Sequence, residues 1–299
     1  MLDIELKTLS ACPLCGLEKR TKLCRIEGSE VFKCLDCGLS YLDPCLDSKS
    51  MATAYQSSET LKQLNEFHDG YYEYGDLSQD SKTLRDFEAC LKLLEKHTPQ
   101  SERKILEVGF GNGLFLALAK RHGWKIDGID TSEKNVERAK EKFSLELQHG
   151  FFEDMEIRKD EYGTVAMLDV IEHQENPNLF LKKAYSMLRP GGLVILATPN
   201  ASSLLHRLAR VFYFLSGGLF RVGIKKVYLL EHVTYYDRKT LSKLLRQNQF
   251  EPVESFQTST DLAKFRLKSL ERSAAELVLL LGRIFRLQNR IVMIGRKTS

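Results

Sequence analysis

The chain has 299 residues, of which 43% are apolar and 28% charged, and its formal net charge at pH 7 is +4. This length suits one well-packed catalytic domain with a small accessory unit, and the composition argues against a disordered or fibrous protein. Because the positive charge is weak and the first ten residues lack an apolar stretch, we expect neither a nucleic-acid-binding nor a secreted protein, but a soluble cytoplasmic one.

The first segment contains two CxxC pairs separated by 18 residues, a spacing typical of a four-thiolate zinc site. The four candidate ligands are Cys12, Cys15, Cys34 and Cys37. A Zn²⁺ ion held by four thiolates has no open coordination position, so we expect a structural ion that supplies folding energy to the module. Free or disulfide-bonded cysteines are the alternative. Cys24 and Cys45 lack a CxxC partner and are expected to be spare thiols rather than alternate ligands.

From residue 104 onward, short β-type runs alternate with helical ones, which predicts a parallel sheet with helices on both faces. The predicted strands are 104–108, 125–129, 145–149, 164–168 and 193–198. The predicted helices between them are 114–121, 133–143 and 178–188. This order of elements is that of a Rossmann-like, doubly wound α/β fold.

The first predicted strand leads into a glycine-rich loop. Gly109, Gly111 and Gly113 permit sharp turns there and a close approach of the backbone to a bound nucleotide. Leu114 stands where a dinucleotide-binding motif would have its third glycine, which disfavours NAD. The second predicted strand ends at Asp130, about 20 residues after the loop, where a carboxylate can accept hydrogen bonds from both hydroxyls of a ribose.

These motifs, in this order, resemble those of the class I S-adenosylmethionine-dependent methyltransferases, and the resemblance extends over about residues 71–297. Other matching segments are 128–132, 168–173, 188–192 and 198–200. The resemblance implies a seven-stranded sheet whose last strand, at 290–295, is antiparallel and follows a strand at 251–256. It also implies that the cofactor lies at the carboxyl ends of the strands.

The resemblance further implies which residues contact S-adenosylmethionine. They are Glu107, Gly109, Phe110, Gly111, Gly113, Asp130, Thr131, Phe152, Glu153 and Leu168. Relatives often carry an acidic residue just after the third strand, where it contacts the adenine amine, but Phe151 occupies that place here. We therefore assign the adenine contact to Glu153 or to backbone groups near Phe152.

We divide the chain into a zinc-ribbon-like module at 1–50, a helical linker and cofactor-covering segment at 51–103, and a methyltransferase domain at 104–299 with an insert at 201–230. In the linker, Tyr71, Tyr72 and Tyr74 correspond to a segment that covers the cofactor in relatives. Simple packing against the first helix is the alternative interpretation.

Three residues are candidates for the chemistry itself. Methyl transfer from a sulfonium is an in-line displacement, so the protein must align donor and acceptor and, for a hydroxyl acceptor, remove a proton. His173, with Glu172 beside it, is the first candidate base, and His232 is the second. Either histidine could instead support the local chain. Residues 169–173 also resemble the acidic-xx-Glu-His segment of ubiquinone-biosynthesis O-methyltransferases, which implies Mg²⁺ as a less favoured second cofactor.

The insert and the carboxyl-terminal segment are basic and apolar. Residues 201–230 contain five Lys or Arg and no acidic residue, and residues 262–299 contain nine Lys or Arg against two Glu. Such an insert suits an anionic acceptor, for example a nucleotide-linked or lipid-linked sugar, unless its charges only form a solvated face. An amphipathic helix is predicted at 274–287, where packing or homodimerisation is the ordinary interpretation and peripheral membrane contact a minority hypothesis.

The zinc module ahead of the methyltransferase motifs resembles the arrangement in deoxysugar C-methyltransferases. This resemblance implies methyl transfer to a small-molecule or glycan-precursor acceptor in polysaccharide or secondary-metabolite biosynthesis. O-methylation of a quinone or phenolic ring stays open, as does RNA or protein methylation with the module as the recognition element. A scaffold that binds the cofactor without turnover is the non-enzymatic alternative. The weak net charge and the lack of a basic, aromatic-rich stripe in residues 1–50 argue against a nucleic-acid partner.

Overall fold

A computed structural model describes residues 6–47, 50–51, 54, 76–78, 80–219, 221–265 and 267–298. Its strands are β1 (Leu6–Lys7), β2 (Arg20–Ile26), β3 (Ser29–Cys34), β4 (Ser40–Asp43), β5 (Cys45–Leu46), β6 (Lys104–Val108), β7 (Lys125–Asp130), β8 (Gln148–His149), β9 (Tyr162–Leu168), β10 (Leu188–Pro199), β11 (Thr234–Tyr235), β12 (Phe250–Thr258) and β13 (Arg290–Lys297). Tyr71, Tyr72 and Tyr74, predicted to lie near the cofactor, fall outside the described residues.

The central sheet has seven strands in the order β12-β13-β10-β9-β6-β7-β8. Strands β6 to β10 are parallel to one another, whereas β13 is antiparallel to both β10 and β12. The parallel strands therefore end at one edge of the sheet, where open α/β sheets bind ligands. The predicted Rossmann-like fold with an antiparallel last strand is confirmed.

Eight helices of the described chain surround the strands: α1 (Lys82–His97), α2 (Leu114–Arg121), α3 (Glu133–Phe143), α4 (Pro177–Met187), α5 (Leu204–Leu215), α6 (Val222–Val227), α7 (Arg238–Gln247) and α8 (Ser269–Ile284). Side chains alternate across the central sheet. In β9, Val165 and Met167 join the core formed with α4 and α7, whereas Ala166 and Leu168 join the core formed with α1, α2 and α3. None of these helices has the length and apolar content that spanning a bilayer requires.

The third parallel strand is shorter than predicted. Only Gln148–His149 forms a strand, not 145–149. Ser144 adopts a left-handed conformation with φ of 52°, and its N–H and that of Leu145 donate to Lys140 O and Ala139 O. Leu145 is therefore part of the end of α3, where its buried side chain packs. The predicted helix 274–287 is likewise shifted, because α8 covers Ser269–Ile284.

The cysteine-rich segment and the rest of the chain share one sheet and one core. Strand β11 pairs antiparallel with β4, which gives a second sheet in the order β11-β4-β3-β2. Cys12 and Leu14 belong to the same buried cluster as Leu106 of β6. The insert also packs against this segment, since Ala209 of α5 lies in a cluster with Val31 of β3. The amino-terminal segment is therefore held against the elements that follow β9 and β10.

Candidate functional site

A cavity of about 500 Å³ lies at the carboxyl edge of the parallel strands. Most of the predicted cofactor contacts line it, namely Glu107, Gly109, Phe110, Gly111, Asp130, Thr131, Phe152, Glu153 and Leu168. Gly113 does not: a Cβ at this position would lie 2.9 Å from the Cβ of Ala139, so a glycine there lets α2 begin against α3. The three candidate catalytic residues, Glu172, His173 and His232, line the same cavity.

Two glycines of the glycine loop, Gly109 and Gly111, are favoured at their positions for different reasons. Gly109 and Gly111 have φ of 66° and 56°, in the left-handed region that favours glycine. A Cβ on Gly109 would lie 2.6 Å from Cγ2 of Val170, so the protein itself excludes a side chain there. A Cβ on Gly111 would meet no protein atom within 4 Å. Gly111 also lines the cavity, so its backbone is open to a bound nucleoside, as such a glycine loop requires.

Asp130 is buried at the end of β7, and protein donors hold its carboxylate in place. The N–H of Gly111 donates to Oδ2 (2.9 Å), while the N–H of Ser132 and the side-chain amide of Asn135 donate to Oδ1 (2.8 and 3.2 Å). Burial raises the pKa of Asp130, and these hydrogen bonds oppose the rise. Because a carboxylate offers about four acceptor positions, these three donors leave capacity for one further donor, fewer than the two ribose hydroxyls expected from the sequence.

Two more carboxylates face the cavity. Glu107 is buried at the end of β6, and its Oε2 makes no hydrogen bond within the described residues. Burial, together with the charge of Asp130, raises the pKa of Glu107 well above its ordinary value. Burial also raises the pKa of Glu153, which is beside the buried ring of Phe152 in the sequence. A buried carboxylate oxygen without a hydrogen-bond partner fits a ligand that supplies hydrogen-bond donors or positive charge.

His173 and His232 meet at the other part of the cavity. Their ring centroids lie 4.8 Å apart, edge to face. Nδ1 of His173 lies 2.7 Å from the carbonyl oxygen of Glu231, and since a carbonyl only accepts, Nδ1 carries the proton and donates. In a neutral imidazole, Nε2 is then the nitrogen able to accept a proton.

Glu172 completes this group. Its side chain is 1% exposed, and its backbone carbonyl accepts from the N–H of Val233 (2.8 Å). Burial and the nearby Asp169 raise the pKa of Glu172, against smaller opposing effects of Arg290 and Thr198. One potential ligand atom from each of Glu172, His173 and His232 lies within 4.8 Å of the others.

The arrangement does not fit the Mg²⁺ considered for residues 169–173. Asp169 is outside this three-residue group and forms an ion pair with Arg290 (2.5 Å). The group contains two imidazoles, whereas Mg²⁺ prefers an octahedron of oxygen ligands. We therefore assign no Mg²⁺ to this part of the cavity.

The four cysteines of the CxxC pairs lie together in the structure. The Sγ atoms of Cys12 and Cys37 are 3.5 Å apart, those of Cys15 and Cys34 are 3.6 Å apart, and all four lie within 4.8 Å of one another. Tetrahedral Zn²⁺ with bonds of about 2.3 Å would require sulfur separations of about 3.8 Å, so the cluster fits this ion. Cys24 and Cys45 are buried in a different cluster of side chains.

The cysteine cluster is attached to the elements around the histidines. The side-chain amide of Asn178 in α4 donates to the carbonyls of Pro13 and Leu14 (both 3.2 Å), and that of Gln247 in α7 donates to Leu14 O (2.9 Å). The N–H of Leu42 in β4 donates to the carbonyl of Val233 (2.8 Å), whose own N–H binds Glu172. The backbone of Val233 thus connects the cysteine-rich sheet to Glu172 of the candidate catalytic group.

The cavity wall includes several residues that were not predicted from the sequence. Thr83, Asp86 and Phe87 of α1 line it, as does Arg290 at the start of β13. These positions belong to no recognisable motif, because helical spacing alone does not tell which face of α1 meets a cavity. The ion pair of Arg290 with Asp169 could have been anticipated only from the pairing of β13 with β10.

The fold and the cavity together define a Rossmann-like methyltransferase with a cysteine-rich amino-terminal segment. Residues 82–255, more than half of the chain, match a family model described as a methyltransferase domain. The chain belongs to this methyltransferase family.

Known relatives cover parts of the chain to different extents. A ubiquinone biosynthesis O-methyltransferase of Maricaulis maris is 34% identical over 125 residues, which are 40% of this chain and 49% of that protein. The chain thus spans about half the length of the curated relatives it matches. A SAM-dependent methyltransferase of Thermotoga maritima, described as a possible histamine N-methyltransferase, has a TM-score of 0.52 at 19% identity and covers 82% of this chain and 98% of its own.

A second solved structure is the 1,6-didemethyltoxoflavin-N1-methyltransferase of Burkholderia thailandensis, with bound 1,6-didemethyltoxoflavin and S-adenosylhomocysteine. Its TM-score is 0.51 at 15% identity, with 89% of this chain and 98% of that one covered. At these identities, the two structures show the common fold.

Proposed function

We propose that this protein transfers a methyl group from S-adenosylmethionine to a hydroxyl of a small-molecule acceptor such as a glycan precursor. One observation carries the proposal. A single cavity joins an open glycine cradle and the carboxylate of Asp130 to the pair formed by His173 and His232. A cofactor site and a candidate base therefore border the same space, which is what a proton-coupled methyl transfer needs.

The cavity residues fit a nucleoside with a positively charged tail. Asp130 would accept from the ribose, the ring of Phe152 would contact the adenine, and the open side of Gly111 would admit the nucleoside against the backbone. The Glu107 oxygen that has no hydrogen-bond partner among the described residues would accept a hydrogen bond from a donor of the ligand. When bound, S-adenosylmethionine supplies an electrophilic methyl group on a sulfonium.

The histidine pair provides the base. Because Nδ1 of His173 donates to Glu231, Nε2 is placed to accept the proton of an acceptor hydroxyl. Burial and the nearby Asp169 raise the pKa of Glu172, which reduces the negative charge beside the pair.

The cysteine cluster has a structural role in this proposal. Four thiolates around Zn²⁺ would leave no position for substrate, so the ion would stabilise the fold of the first fifty residues. The sulfur separations of 3.5 and 3.6 Å support this assignment.

Methylation of a phenolic or quinol hydroxyl is the second candidate function. It is favoured by the curated relatives, which are named ubiquinone biosynthesis O-methyltransferases and match about 40% of the chain. The same base would serve both acceptors, since each reaction removes a proton from a hydroxyl.

Two measurements on the zinc-loaded protein test the proposal. Calorimetric titration with S-adenosylmethionine and S-adenosylhomocysteine should detect binding of both. Transfer of a labelled methyl group should then be assayed with nucleotide-linked sugars and with catechols, each compared with its deoxy analogue. Label in a sugar hydroxyl supports the first function, and label in a phenolic hydroxyl supports the second. If neither cofactor form gives heat, the proposed function is wrong.

A further inference from the structure

The end of α5 and the turn after it expose large apolar side chains. Phe214 is 83% exposed, Leu215 is 75% exposed and Leu219 is 86% exposed. A helix that only packs on a core turns such residues inward and presents polar ones to water. In α5, by contrast, the buried residues are His206 and Ala209. The apolar side chains at this end therefore face away from the protein.

Helix α8 has the same property. Leu277, Leu280 and Ile284 are spaced three and four residues apart, so they lie on one face of the helix, and each is more than half exposed. Helix α8 packs against α5. We call the six residues of these two adjoining elements the cap surface: Phe214, Leu215, Leu219, Leu277, Leu280 and Ile284. These two groups lie on packed elements, and exposed apolar groups of this kind mark an interaction site.

The insert that carries half of the cap surface is basic. Residues 201–230 contain five Lys or Arg and no acidic residue, and two of them, Lys225 and Lys226, pair with Glu27 and Glu271. Arg221, two residues after Leu219, and Arg283, beside Ile284, are both exposed. A partner that covers this surface must therefore accept apolar side chains and positive charges together.

We propose that the cap surface docks on the surface of an anionic lipid bilayer. Apolar side chains would enter the boundary between headgroups and acyl chains, while arginines and lysines would contact the anionic headgroups. A second copy of the chain is a poorer occupant, because a symmetric contact would bring the same positive charges together. The helices are too short to span a bilayer, so they would lie in its plane.

The docked orientation would also affect how the acceptor reaches the cavity, an inference that rests on the proposed function. Leu205 of α5, Val227 of α6 and Leu279 of α8 line the cavity from the side of these helices. An acceptor with an apolar tail could therefore pass from the bilayer to the histidine pair between the helices that dock.

Vesicle flotation of the full-length, zinc-loaded protein tests the docking itself. We expect flotation with vesicles of phosphatidylcholine and phosphatidylglycerol, and at least tenfold weaker partitioning with phosphatidylcholine alone or in high salt. Phe214→Ser combined with Leu219→Ser should reduce partitioning at least tenfold. The matched control, Ile157→Ser with Leu179→Ser, removes exposed apolar residues elsewhere and should leave partitioning within twofold of the unsubstituted protein.

Charge reversal tests the basic part of the surface. Arg221→Glu with Arg283→Glu should weaken partitioning onto anionic vesicles at least tenfold, whereas Lys134→Glu with Arg138→Glu, on α3, should change it less than twofold. Circular dichroism and calorimetric binding of S-adenosylhomocysteine would verify that each variant is folded. Because cofactor binding is measured separately, failure of the docking proposal is distinguishable from failure of the proposed function.

A gain of signal provides a test that misfolding cannot imitate. The single tryptophan, Trp124, is buried, so Phe214→Trp adds one exposed probe. We expect brominated lipid in anionic vesicles to quench the new fluorescence, with a shift to shorter wavelength. Absence of flotation and of quenching would overturn the proposal. So would self-association that depends on Phe214 without vesicle binding, because the occupant would then be a second copy.

Discussion

Replacing Gly111 with alanine separates the stability of the glycine loop from its affinity for a ligand. The added Cβ would meet no protein atom within 4 Å, so the direct cost to folding is the left-handed φ of 56°. For an L-residue this conformation costs about 1–2 kcal/mol. Because Gly111 lines the cavity where the nucleoside is proposed to bind, the added methyl group would compete with the ligand for space, and we expect cofactor affinity to fall at least tenfold, about 1.4 kcal/mol or more.

Gly109→Ala is the matched comparison two residues earlier in the loop. Its Cβ would lie 2.6 Å from Cγ2 of Val170, so overpacking of about 1–3 kcal/mol adds to the backbone cost. We expect Gly109→Ala to lower the free energy of unfolding by about 2–5 kcal/mol in total. Val170→Ala in the same chain should restore part of that loss, because it removes the clashing atom.

Denaturant unfolding gives the free energy of unfolding of each variant, and calorimetric titration gives its affinity for S-adenosylhomocysteine. In Gly111→Ala, the affinity should fall by more than the stability loss explains, since the folded fraction is still close to one. A folded Gly111→Ala variant that binds the nucleoside as tightly as the unsubstituted protein would refute the placement of the cofactor beside this loop.

Three further predictions concern the cysteines and the histidines. Cys34→Ser should abolish stoichiometric zinc and lower the thermal midpoint, measured by metal analysis and calorimetry, because three thiolates do not close the site. His173→Asn should lower methyl transfer to a hydroxyl acceptor about 100-fold or more while the dissociation constant of the cofactor changes less than twofold. Burial lowers the pKa of His206 from 6.5 to about 3, so the unfolded chain binds one more proton between these pH values. Stability should therefore fall as pH decreases from 6.5, by up to about 1.4 kcal/mol per pH unit, and His206→Asn should flatten this dependence in denaturant unfolding.

Each of these experiments has a control and a contradicting result. Cys90→Ser replaces a buried thiol outside the cluster and should keep the zinc; equal zinc in Cys34→Ser would exclude that cysteine as a ligand. His122→Asn, a histidine paired with Glu95 away from the cavity, should keep methyl transfer, and equal activity of His173→Asn would exclude His173 as the base. An unchanged acid dependence in His206→Asn would assign the lost stability to other groups.

Local patterns in the sequence predicted much of the fold. The bounds of β6, α2 and α3 are those predicted, because alternation, helical spacing and glycine turns are properties of neighbouring residues. The CxxC spacing indicated the four-sulfur cluster for the same reason. The third strand was predicted too long, since Leu145 is apolar in either structure and only the left-handed Ser144 assigns it to the end of α3.

What the sequence by itself determined was the order of the elements, the glycine cradle with Asp130, and the identity of the clustered thiols. Only the tertiary structure decided that β11 completes the cysteine-rich sheet and that His232 lies against His173, 59 residues away in the chain. It also decided that α5 and α8 turn apolar residues outward. Such contacts depend on which distant surfaces bury one another, and no local periodicity contains that information, because the free energy of burial is shared between segments far apart in the chain.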